Sequence, residues 1–485
     1  MKKRKIIIPA LLTIAACTSV AAGATYALFT SESAINIAVT SGKVDVVATI
    51  DSTSVQTKSL NTEYQNGQTN FYEGTAAFDD ATQTLKLENL VPGDAIKFNI
   101  VVTNNSTVTV KYLTSVMKSL DTGLFKGLNI TVNGKTYTGS PVIDGWNTLE
   151  ASTTDVITVP VEIELPNDAS NDYQAKSCTI SYKVEAVQGN GETPDRVFGV
   201  GTDADLKSEV KATFNSSTDY TTAEAYLGEG EYTIKNIGSK LLSGKTISFI
   251  GSGVNSTTYV SRDNGTSQVE NGADYSLEGA TVTFKDMTVD VTSNNNYNGF
   301  VRATSLTFEN CVIKGCASYW GETTVFKNCT FESTDGYNIF TYSGNDFTFD
   351  GCIFNTTKKF INCYKENEPN LTNITVKNCI FNAKENETGY KPALWMKFYG
   401  SANWNIVWEN STVNNVDTAN MDSEATVTTP TNVGSNLCFG GYSNIFAVRA
   451  DGKTLETFDD TCKTTYSSTK VTVDGVVKFE NCEIK

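Results

Sequence analysis

The chain has 485 residues, a length that allows two to four domains at roughly 100–200 residues each. Its 38 Lys and Arg residues against 54 Asp and Glu give a formal net charge of -16, so its overall field repels nucleic acid. The sequence contains no histidine, which excludes His-ligated metal sites, Ser-His-Asp triads and imidazole acid–base chemistry.

Residues 1–28 are predicted to be a secretory signal peptide. Lys2 to Lys5 form a basic segment, and apolar and small residues follow up to about Ala27. The small residues at the end of this run predict cleavage after Ala27 or Leu28, and Cys17 offers an alternative as a lipidation site. We therefore expect a secreted protein that is extracellular or exposed on the cell surface.

Residues 29–188 are predicted to form an antiparallel β-sandwich. Three runs alternate apolar and polar residues with the period of a half-buried strand, and Pro92-Gly93 predicts a type II turn. The apolar sets are Ile96, Phe98, Ile100 and Val102; Val159, Val161, Ile163 and Leu165; and Ile180, Tyr182, Val184 and Ala186. No long helical pattern interrupts these strands, which favours an all-β sandwich.

Several segments of this region resemble the TasA/camelysin family of Gram-positive matrix and spore-surface proteins. In chain order they are Gly23-Ala-Thr-Tyr-Ala-Leu-Phe29, Ser41-Gly-Lys-Val-Asp-Val46, Leu90-Val-Pro-Gly-Asp94, Val102-Thr-Asn-Asn-Ser106, Leu165-Pro-Asn-Asp168 with Tyr173-Gln174, and Tyr182-Lys-Val-Glu-Ala-Val187. The resemblance covers residues 20–188. It implies a jelly-roll sandwich, a Gram-positive biofilm matrix or cell-surface location, and self-association into fibres through an N-terminal strand at about Phe29 to Val39. A metallopeptidase label carried by some members has no support here, because the chain lacks His-Glu-x-x-His.

A second architecture is predicted after a linker at residues 189–199. The linker is rich in turn-forming residues, and Thr202 can N-cap a short helix. Leu206, Val210 and Phe214 would share one face of that helix. We expect the helix to cover the open end of a domain that spans residues 200–485.

The second domain contains a repeated β-rich unit at irregular intervals of about 20–30 residues, which predicts a parallel β-helix. A bulky residue is followed after two positions by Asn or Gly and then by Cys or another small residue. The repeat marks the cysteines Cys311, Cys329, Cys352, Cys379 and Cys482 and the asparagines Asn310, Asn328 and Asn378. The long step from position 411 to 482 predicts one or two irregular coils.

The repeat assigns structural roles to these residues. The cysteines are expected to stack as reduced, small apolar side chains, although pairs such as Cys311 with Cys316 or Cys363 with Cys438 remain an alternative. Each Asn is expected at a bend, in left-handed backbone geometry, bonded to the same Asn of the next coil. The pattern resembles the pectate-lyase-like superfamily and implies a right-handed β-helix, a fold that hosts enzymes, adhesins and inert spacers.

An enzymatic function is the alternative prediction. Members of that superfamily include polysaccharide lyases and hydrolases that use paired carboxylates, and Asp79-Asp80 and Asp459-Asp460 are the adjacent acidic pairs of this chain. No repeated acidic motif accompanies either pair, so no catalytic residue is assigned. No metal or other cofactor is predicted, and calcium has no motif to support it.

Aromatic residues near position 400 are the candidate ligand-binding residues. Trp395, Tyr399 and Trp404 could stack on sugar rings, whereas Trp408 falls on the bulky repeat position and is expected in the core. The sequence thus predicts a cell-surface or matrix protein with an assembly domain and a displayed rod or adhesive face. Its expected partners are further copies of itself and an extracellular or cell-surface polysaccharide.

Overall fold

The computed structural model describes a mostly β-stranded chain. The described residues are 31–34, 44–58, 75–79, 84–139, 141–151, 156–173, 175–234, 237, 240–260, 277–292, 303–315, 317–319, 321–332, 338–341, 346–356, 359–364, 372–383, 394–399, 402–414, 435–439, 448–449, 461–467, 472–480 and 483–484. The chain divides into two compact units, residues 1–201 and 202–485. The predicted cleavage residues Ala27 and Leu28 lie outside the described residues. Within the described part of the chain, no helix is long and apolar enough to cross a membrane.

Unit 1 contains two antiparallel sheets, in which long strands such as Ala95–Asn104 and Val156–Glu164 alternate buried and more exposed residues. Its strands are β1 (Ser31–Ala34), β2 (Val46–Lys58), β3 (Thr75–Asp79), β4 (Thr84–Glu88), β5 (Ala95–Asn104), β6 (Val110–Asp121), β7 (Asn129–Val132), β8 (Lys135–Thr138), β9 (Val142–Leu149), β10 (Val156–Glu164), β11 (Ser177–Gln188) and β12 (Arg196–Val200). One sheet has the order β3-β4-β11-β6-β9, and β1 also pairs with β11. The other has the order β2-β5-β10-β7-β8. Short 3-10 turns occupy Phe125–Gly127 and Asn171–Tyr173.

One hydrophobic cluster collects side chains from both sheets of unit 1. Phe98 of β5, Val161 of β10 and Tyr182 of β11 all belong to it, as the period-two alternation predicts. The turn at Pro92-Gly93 is confirmed. The Asp94 amide donates to the Val91 carbonyl at 3.0 Å, and Gly93 has a φ of 96°, which the third residue of a type II turn requires.

The predicted linker at residues 189–199 is only partly free of regular structure. β12 begins at Arg196, inside that segment, because Phe198 and Val200 alternate as buried residues. The predicted helix is confirmed as α1 (Asp203–Thr213), the α-helix of the described residues. The Thr202 side chain accepts a hydrogen bond from the Asp205 amide at 3.1 Å, and Leu206, Val210 and Phe214 are buried. The helix contacts β13 (Thr222–Leu227) and β14 (Gly230–Tyr232).

Unit 2 is a stack of parallel strands in three sheets, an arrangement consistent with the predicted parallel β-helix. The first sheet contains β13, β15 (Thr246–Ile250), β17 (Thr281–Lys285), β19 (Ser305–Glu309), β22 (Thr323–Lys327), β25 (Asp346–Asp350), β28 (Thr372–Lys377), β31 (Ala402–Glu409) and β36 (Thr472–Glu480). The second contains β14, β16 (Thr257–Val260), β18 (Thr288–Asp290), β20 (Val312–Lys314), β23 (Thr330–Glu332), β26 (Ile353–Thr356), β29 (Ile380–Ala383), β32 (Thr412–Asn414) and β37 (Glu483–Ile484). The third contains β21 (Ala317–Tyr319), β24 (Ile339–Thr341), β27 (Lys359–Tyr364) and β30 (Leu394–Tyr399). We call each strand of the first sheet a rung.

The bulky repeat positions form a continuous column in the interior. Register pairs Phe249 with Phe284 and then, rung by rung, Phe308, Phe326, Phe349, Val376 and Trp408. Adjacent phenylalanine rings stack, with centroids 4.7 Å apart for Phe308 and Phe326. Trp408 is fully buried, which confirms its predicted core position.

The prediction of hidden coils between positions 411 and 482 is wrong. β31 pairs directly with β36 in parallel register, so these two strands are neighbouring rungs. The intervening residues instead supply three antiparallel strands, β33 (Ser435–Phe439), β34 (Val448–Arg449) and β35 (Thr461–Ser467). β33 pairs with β30, while β35 pairs with β36 and β34 with β35 at the end of the first sheet. These strands cover the edge that β36 would otherwise present.

Candidate functional surfaces

The bends after the rungs adopt the left-handed geometry that the repeat predicts. Asn310, Asn328, Asn378 and Asn410 have φ between 48° and 56°, and Asp286 and Gly351 occupy the same position with φ of 55° and 66°. These residue types carry the smallest penalty for such geometry. The predicted Asn–Asn bond between rungs is replaced by an Asn–Asp bond at two steps. Asn310 Nδ2 donates to Asp286 Oδ1 at 3.1 Å, and Asn378 Nδ2 donates to Asp350 Oδ1 at 3.0 Å.

The cysteine column lies next to these bends and consists of Cys311, Cys329, Cys352 and Cys379. All four are buried and free, in agreement with the predicted column of reduced thiols. Each thiol lies within hydrogen-bond distance of the carbonyl two residues before it, and three of them also lie within reach of a carbonyl of the preceding rung, as Cys329 Sγ does at 3.4 Å from Phe308 O. The single S–H donates to one of these carbonyls at a time. Burial raises the pKa of the Cys329 thiol, which keeps it in the neutral form that can donate.

Two alternatives for the cysteines can be compared with the structure. Cys311 is free, so it is not bridged to Cys316, which lies outside the described residues. Cys363 in β27 and Cys438 in β33 lie on opposite sides of β30. Strands separated by a third strand are about 9–10 Å apart, beyond the roughly 7 Å Cα separation that a disulfide permits. Cys482 lies outside the described residues.

The outward face of the first sheet carries three columns of side chains at a regular spacing. Burial alternates strictly in the five-residue rungs, so their residues one, three and five face outward, as do the register partners of these residues in the longer rungs. The first column contains Thr246, Thr281, Ser305, Thr323, Asp346 and Asn373, and the central column contains Ser248, Thr283, Thr307, Val325, Thr348, Thr375 and Val407. Side chains within the first column bond between rungs, as Asn373 Nδ2 does to Asp346 Oδ1 at 2.7 Å.

The third column consists of charged residues whose sign alternates from rung to rung. We call this column the charge ladder, and its members are Lys285, Glu309, Lys327, Asp350, Lys377 and Glu409. Lys377 Nζ lies 3.1 Å from Asp350 Oδ2. Sequence reasoning missed this column, although each member stands immediately after the bulky repeat position and the alternation can be read there.

The second sheet carries an asparagine ladder that the sequence analysis also missed. Asn382 Nδ2 donates to Asn355 Oδ1 and Asn414 Nδ2 donates to Asn382 Oδ1, each at 3.0 Å. Its signal in the sequence is an Asn three residues after the small repeat residue, as in Cys352-Ile-Phe-Asn355. Ile353 and Ile380 lie in the same strands and are 37% and 40% exposed. This face is therefore uncharged along the ladder and partly apolar.

The three predicted sugar-stacking residues do not lie in one strand. Trp395 and Tyr399 belong to β30 in the third sheet, with Lys359 and Tyr364 as their register partners in β27. Trp404 belongs to β31 in the first sheet, opposite Thr372 of β28. The side chains of all three lie outside the described residues. The backbone thus brings Trp395 and Tyr399 together and leaves Trp404 in another sheet.

Only one residue of the two predicted acidic pairs lies in the described part of the chain. Asp79 ends β3 of unit 1, whereas Asp80, Asp459 and Asp460 lie outside the described residues. Among the residues that the structure describes, no cluster of three or more Cys, Asp or Glu is placed to hold a metal ion. One carboxyl group stands out in unit 1. Asp94 is buried, its Oδ2 accepts from the Val91 amide at 2.9 Å, and burial raises its pKa.

Comparisons with known proteins return only distant structural similarity. No known protein family matches the chain, and no curated protein matches its sequence. The chain is similar to the catalytic unit of a GH87 alpha-1,3-glucanase from Streptomyces thermodiastaticus, with 12% identity over 77% of this chain and 86% of that one and a TM-score of 0.21. A family two carbohydrate esterase from Cellvibrio japonicus has 12% identity over 37% and 45%, with a TM-score of 0.13. A beta-glucosidase from Kluyveromyces marxianus has 8% identity over 43% and 24%, with a TM-score of 0.12. These neighbours act on carbohydrates, and at such TM-scores the similarity carries no argument about the function of this chain.

Proposed function

We propose that the protein is a secreted cell-surface or matrix protein of a Gram-positive bacterium, in which unit 1 joins copies into fibres and unit 2 is displayed as a rod. The two sheets of unit 1 and their common core support its assignment as a TasA-like jelly-roll sandwich. The three parallel sheets of unit 2 support a right-handed, pectate-lyase-like β-helix. The proposal involves no cofactor.

The pairing of β1 with β11 is the observation that carries the assembly step. β1 is the first described strand and follows the predicted leader. It pairs antiparallel with four residues of β11, from Ser31 opposite Ala186 to Ala34 opposite Lys183. β4 pairs with the other half of β11, from Ser177 to Ser181. Because strand pairing uses only backbone groups, β1 of a neighbouring copy can replace the chain's own β1 at this place.

The test compares the mature chain, which begins at Leu28 or Phe29, with a variant that lacks residues 29–39. We expect fibres from the mature chain by electron microscopy and light scattering and none from the shortened one. A synthetic peptide of residues 29–39 should occupy β11 and stop fibre growth when it is added in excess. A strictly monomeric mature chain, or fibres from the shortened variant, would contradict the proposal.

A cysteine pair distinguishes exchange between copies from pairing within one copy. Glu32 and Glu185 are direct register partners, and directly opposite residues of antiparallel strands lie within disulfide range. The Glu32→Cys/Glu185→Cys variant, oxidised after fibre growth, should give a series of covalent oligomers on a denaturing gel. Oxidation before assembly should give a covalently closed monomer that forms no fibres. Monomers alone from oxidised fibres would place β1 within its own copy and overturn strand exchange.

The rod is proposed to contact an extracellular polysaccharide. A binding assay tests this contact, and an assay for reaction products tests the enzymatic alternative. Glycan-array binding should fall on Trp395→Ala. Tyr399→Ala tests the second aromatic position of the same strand, and Trp404→Ala tests the tryptophan of another sheet. Acidic polysaccharides incubated with the protein and calcium should yield no new reducing ends or unsaturated products. Product formation would replace the adhesive assignment with a polysaccharide lyase or hydrolase.

A further inference from the structure

The charge ladder is an ordered, electrically neutral strip on a strongly acidic chain. Lys285, Glu309, Lys327, Asp350, Lys377 and Glu409 are linked by direct register pairs across six successive rungs. Three positive and three negative residues alternate, whereas the whole chain carries a net charge of -16. Ile250 precedes the ladder on β15, and Glu480 follows it on β36.

The order of signs makes this strip complementary to its own reverse. If a second copy approaches with its rungs in the opposite order, the first position faces the sixth, the second faces the fifth and the third faces the fourth. Lys285 then faces Glu409 of the second copy, Glu309 faces Lys377, and Lys327 faces Asp350. Each contact occurs twice around a two-fold axis. Two copies in parallel at equal height would instead place like charges opposite each other.

We propose that two copies of the chain pair laterally through the outward face of the first sheet, with their rods antiparallel and the charge ladders matched end to end. The rest of the face suits close approach, because the central column consists of Ser, Thr and Val and only Asp346 is charged in the first column. Elsewhere the net negative charge of the chain opposes contact between copies. The ladder is thus a surface on which a second copy meets complementary charge.

The dimensions of the face set the strength of the pairing. Six rungs of five residues present roughly 29 Å by 17 Å, or about 500 Å² for each partner. A standard protein interface buries about 800 Å² for each partner. The pairing is therefore weak and reversible in dilute solution, sensitive to salt, and favoured where copies are crowded together on one surface or along one fibre.

Zero-length cross-linking of the unmodified mature chain tests the arrangement directly. A carbodiimide joins a lysine amine to a carboxylate only when the two groups touch. Lys285 and Glu409 lie five rungs apart, about 24 Å, in the same chain. A cross-linked peptide containing both residues must therefore come from two copies. We expect Lys285–Glu409 and Glu309–Lys377 cross-links at low salt and their loss at high salt. Their absence at low salt, even at high protein concentration, would overturn the proposal.

Charge reversal supplies the second test. Lys327→Glu should place two acidic residues opposite each other twice and weaken dimerisation by about tenfold or more. Lys327→Glu/Asp350→Lys restores opposite charges between copies and should restore the dimer. Within one chain the double variant creates like-charged neighbours at two steps of the ladder, as the single variant does. Recovery in the double variant therefore cannot come from a repaired fold, and failure to recover would contradict the antiparallel match.

A control variant separates this contact from general charge effects and from fibre formation. Lys211→Glu makes the same change of charge on an exposed residue of α1, and we expect no change in dimerisation. The variant that lacks residues 29–39 should still give the ladder cross-links, because β1 takes no part in them. In the mature chain, ladder cross-links without fibres would count against strand exchange alone. Fibres without the cross-links would count against the ladder alone.

Discussion

At the scale of single residues, unit 2 tolerates a polar group in its core. Thr324 is fully buried on β22, between the apolar register partners Leu306 and Phe347. Among the described contacts its hydroxyl has no hydrogen-bond partner. A buried hydroxyl without a partner loses its hydration and gains nothing in return. The neighbouring inward positions of the same column, Leu306 and Phe347, are apolar, so this site suits an apolar side chain.

Replacing that hydroxyl should stabilise the protein. Thr324→Val keeps the shape of the side chain, and we expect the free energy of unfolding to rise by about 1 kcal/mol, measured by urea denaturation. Thr257→Val is the matched control. Thr257 is also buried, but its hydroxyl donates to the Gly228 carbonyl at 2.8 Å and accepts from the Ser252 amide at 2.9 Å, so the same change should destabilise. Equal effects at both sites would contradict this account.

The buried carboxyl of Asp94 makes stability depend on pH. Because burial raises its pKa in the folded state, the folded chain binds this proton more tightly than the unfolded chain. Proton binding at Asp94 therefore adds to the free energy of unfolding. This contribution is complete below the unfolded pKa of about 3.9 and is lost as the pH rises through the folded pKa. Asp94→Asn should thus stabilise unit 1 at pH 7, with the amide oxygen still accepting from Val91, and the gain should vanish near pH 3.

The measurement is urea denaturation of both proteins at the two pH values. Asp168→Asn is the control, because Asp168 is exposed near the same turn. It should leave stability unchanged at both pH values. A loss of stability from Asp94→Asn at pH 7 would mean that the carboxylate is held by its hydrogen bond more strongly than burial opposes it.

At the scale of elements, local patterns in the sequence were sufficient for much of the fold. The helix α1 followed from one capping residue and three apolar positions one turn apart, and Thr202, Leu206 and Val210 behave as predicted. The rungs followed from a short repeat because each coil must bury the same bulky residue on its neighbour. Positive φ at Asn310 and Asn328 followed from residue type alone.

Other elements depend on contacts that no local pattern records. Residues 196–199 fall in the predicted linker because a turn-rich segment precedes them, yet they form most of β12 and Phe198 is buried. The step from position 411 to 482 has the length of several coils, but β31 pairs directly with β36. Which strand pairs with which is decided by distant backbone groups. The candidate surfaces were missed for a related reason, since the charge ladder exists only once the rungs are in register.

At the scale of the whole molecule, unit 2 behaves as a one-dimensional stack in which each rung contacts its neighbours. Phe326 stands in the middle of the aromatic column. Its ring centroid lies 4.7 Å from that of Phe308, 5.0 Å from Phe331, 5.2 Å from Phe349 and 5.4 Å from Tyr319, which makes four aromatic pairs. Phe249 stands near the start of the column and meets Phe284 at 5.4 Å and Tyr259 at 6.3 Å. Both side chains are fully buried.

Because the two positions share residue type and burial, they separate the effect of the stack from that of burial alone. Phe→Ala in a core costs about 3–5 kcal/mol, and each lost aromatic pair adds about 0.5–1.5 kcal/mol. We therefore expect Phe326→Ala to lower the free energy of unfolding more than Phe249→Ala does, by about 1–2 kcal/mol, in urea denaturation followed by circular dichroism.

In a nearest-neighbour stack, a central defect also weakens the coupling between the two halves, so Phe326→Ala should broaden or split the unfolding transition whereas Phe249→Ala should only shift it. Equal losses with a single sharp transition in both variants would show that unit 2 unfolds as one cooperative block, in which the position of a rung along the stack makes no difference to its contribution.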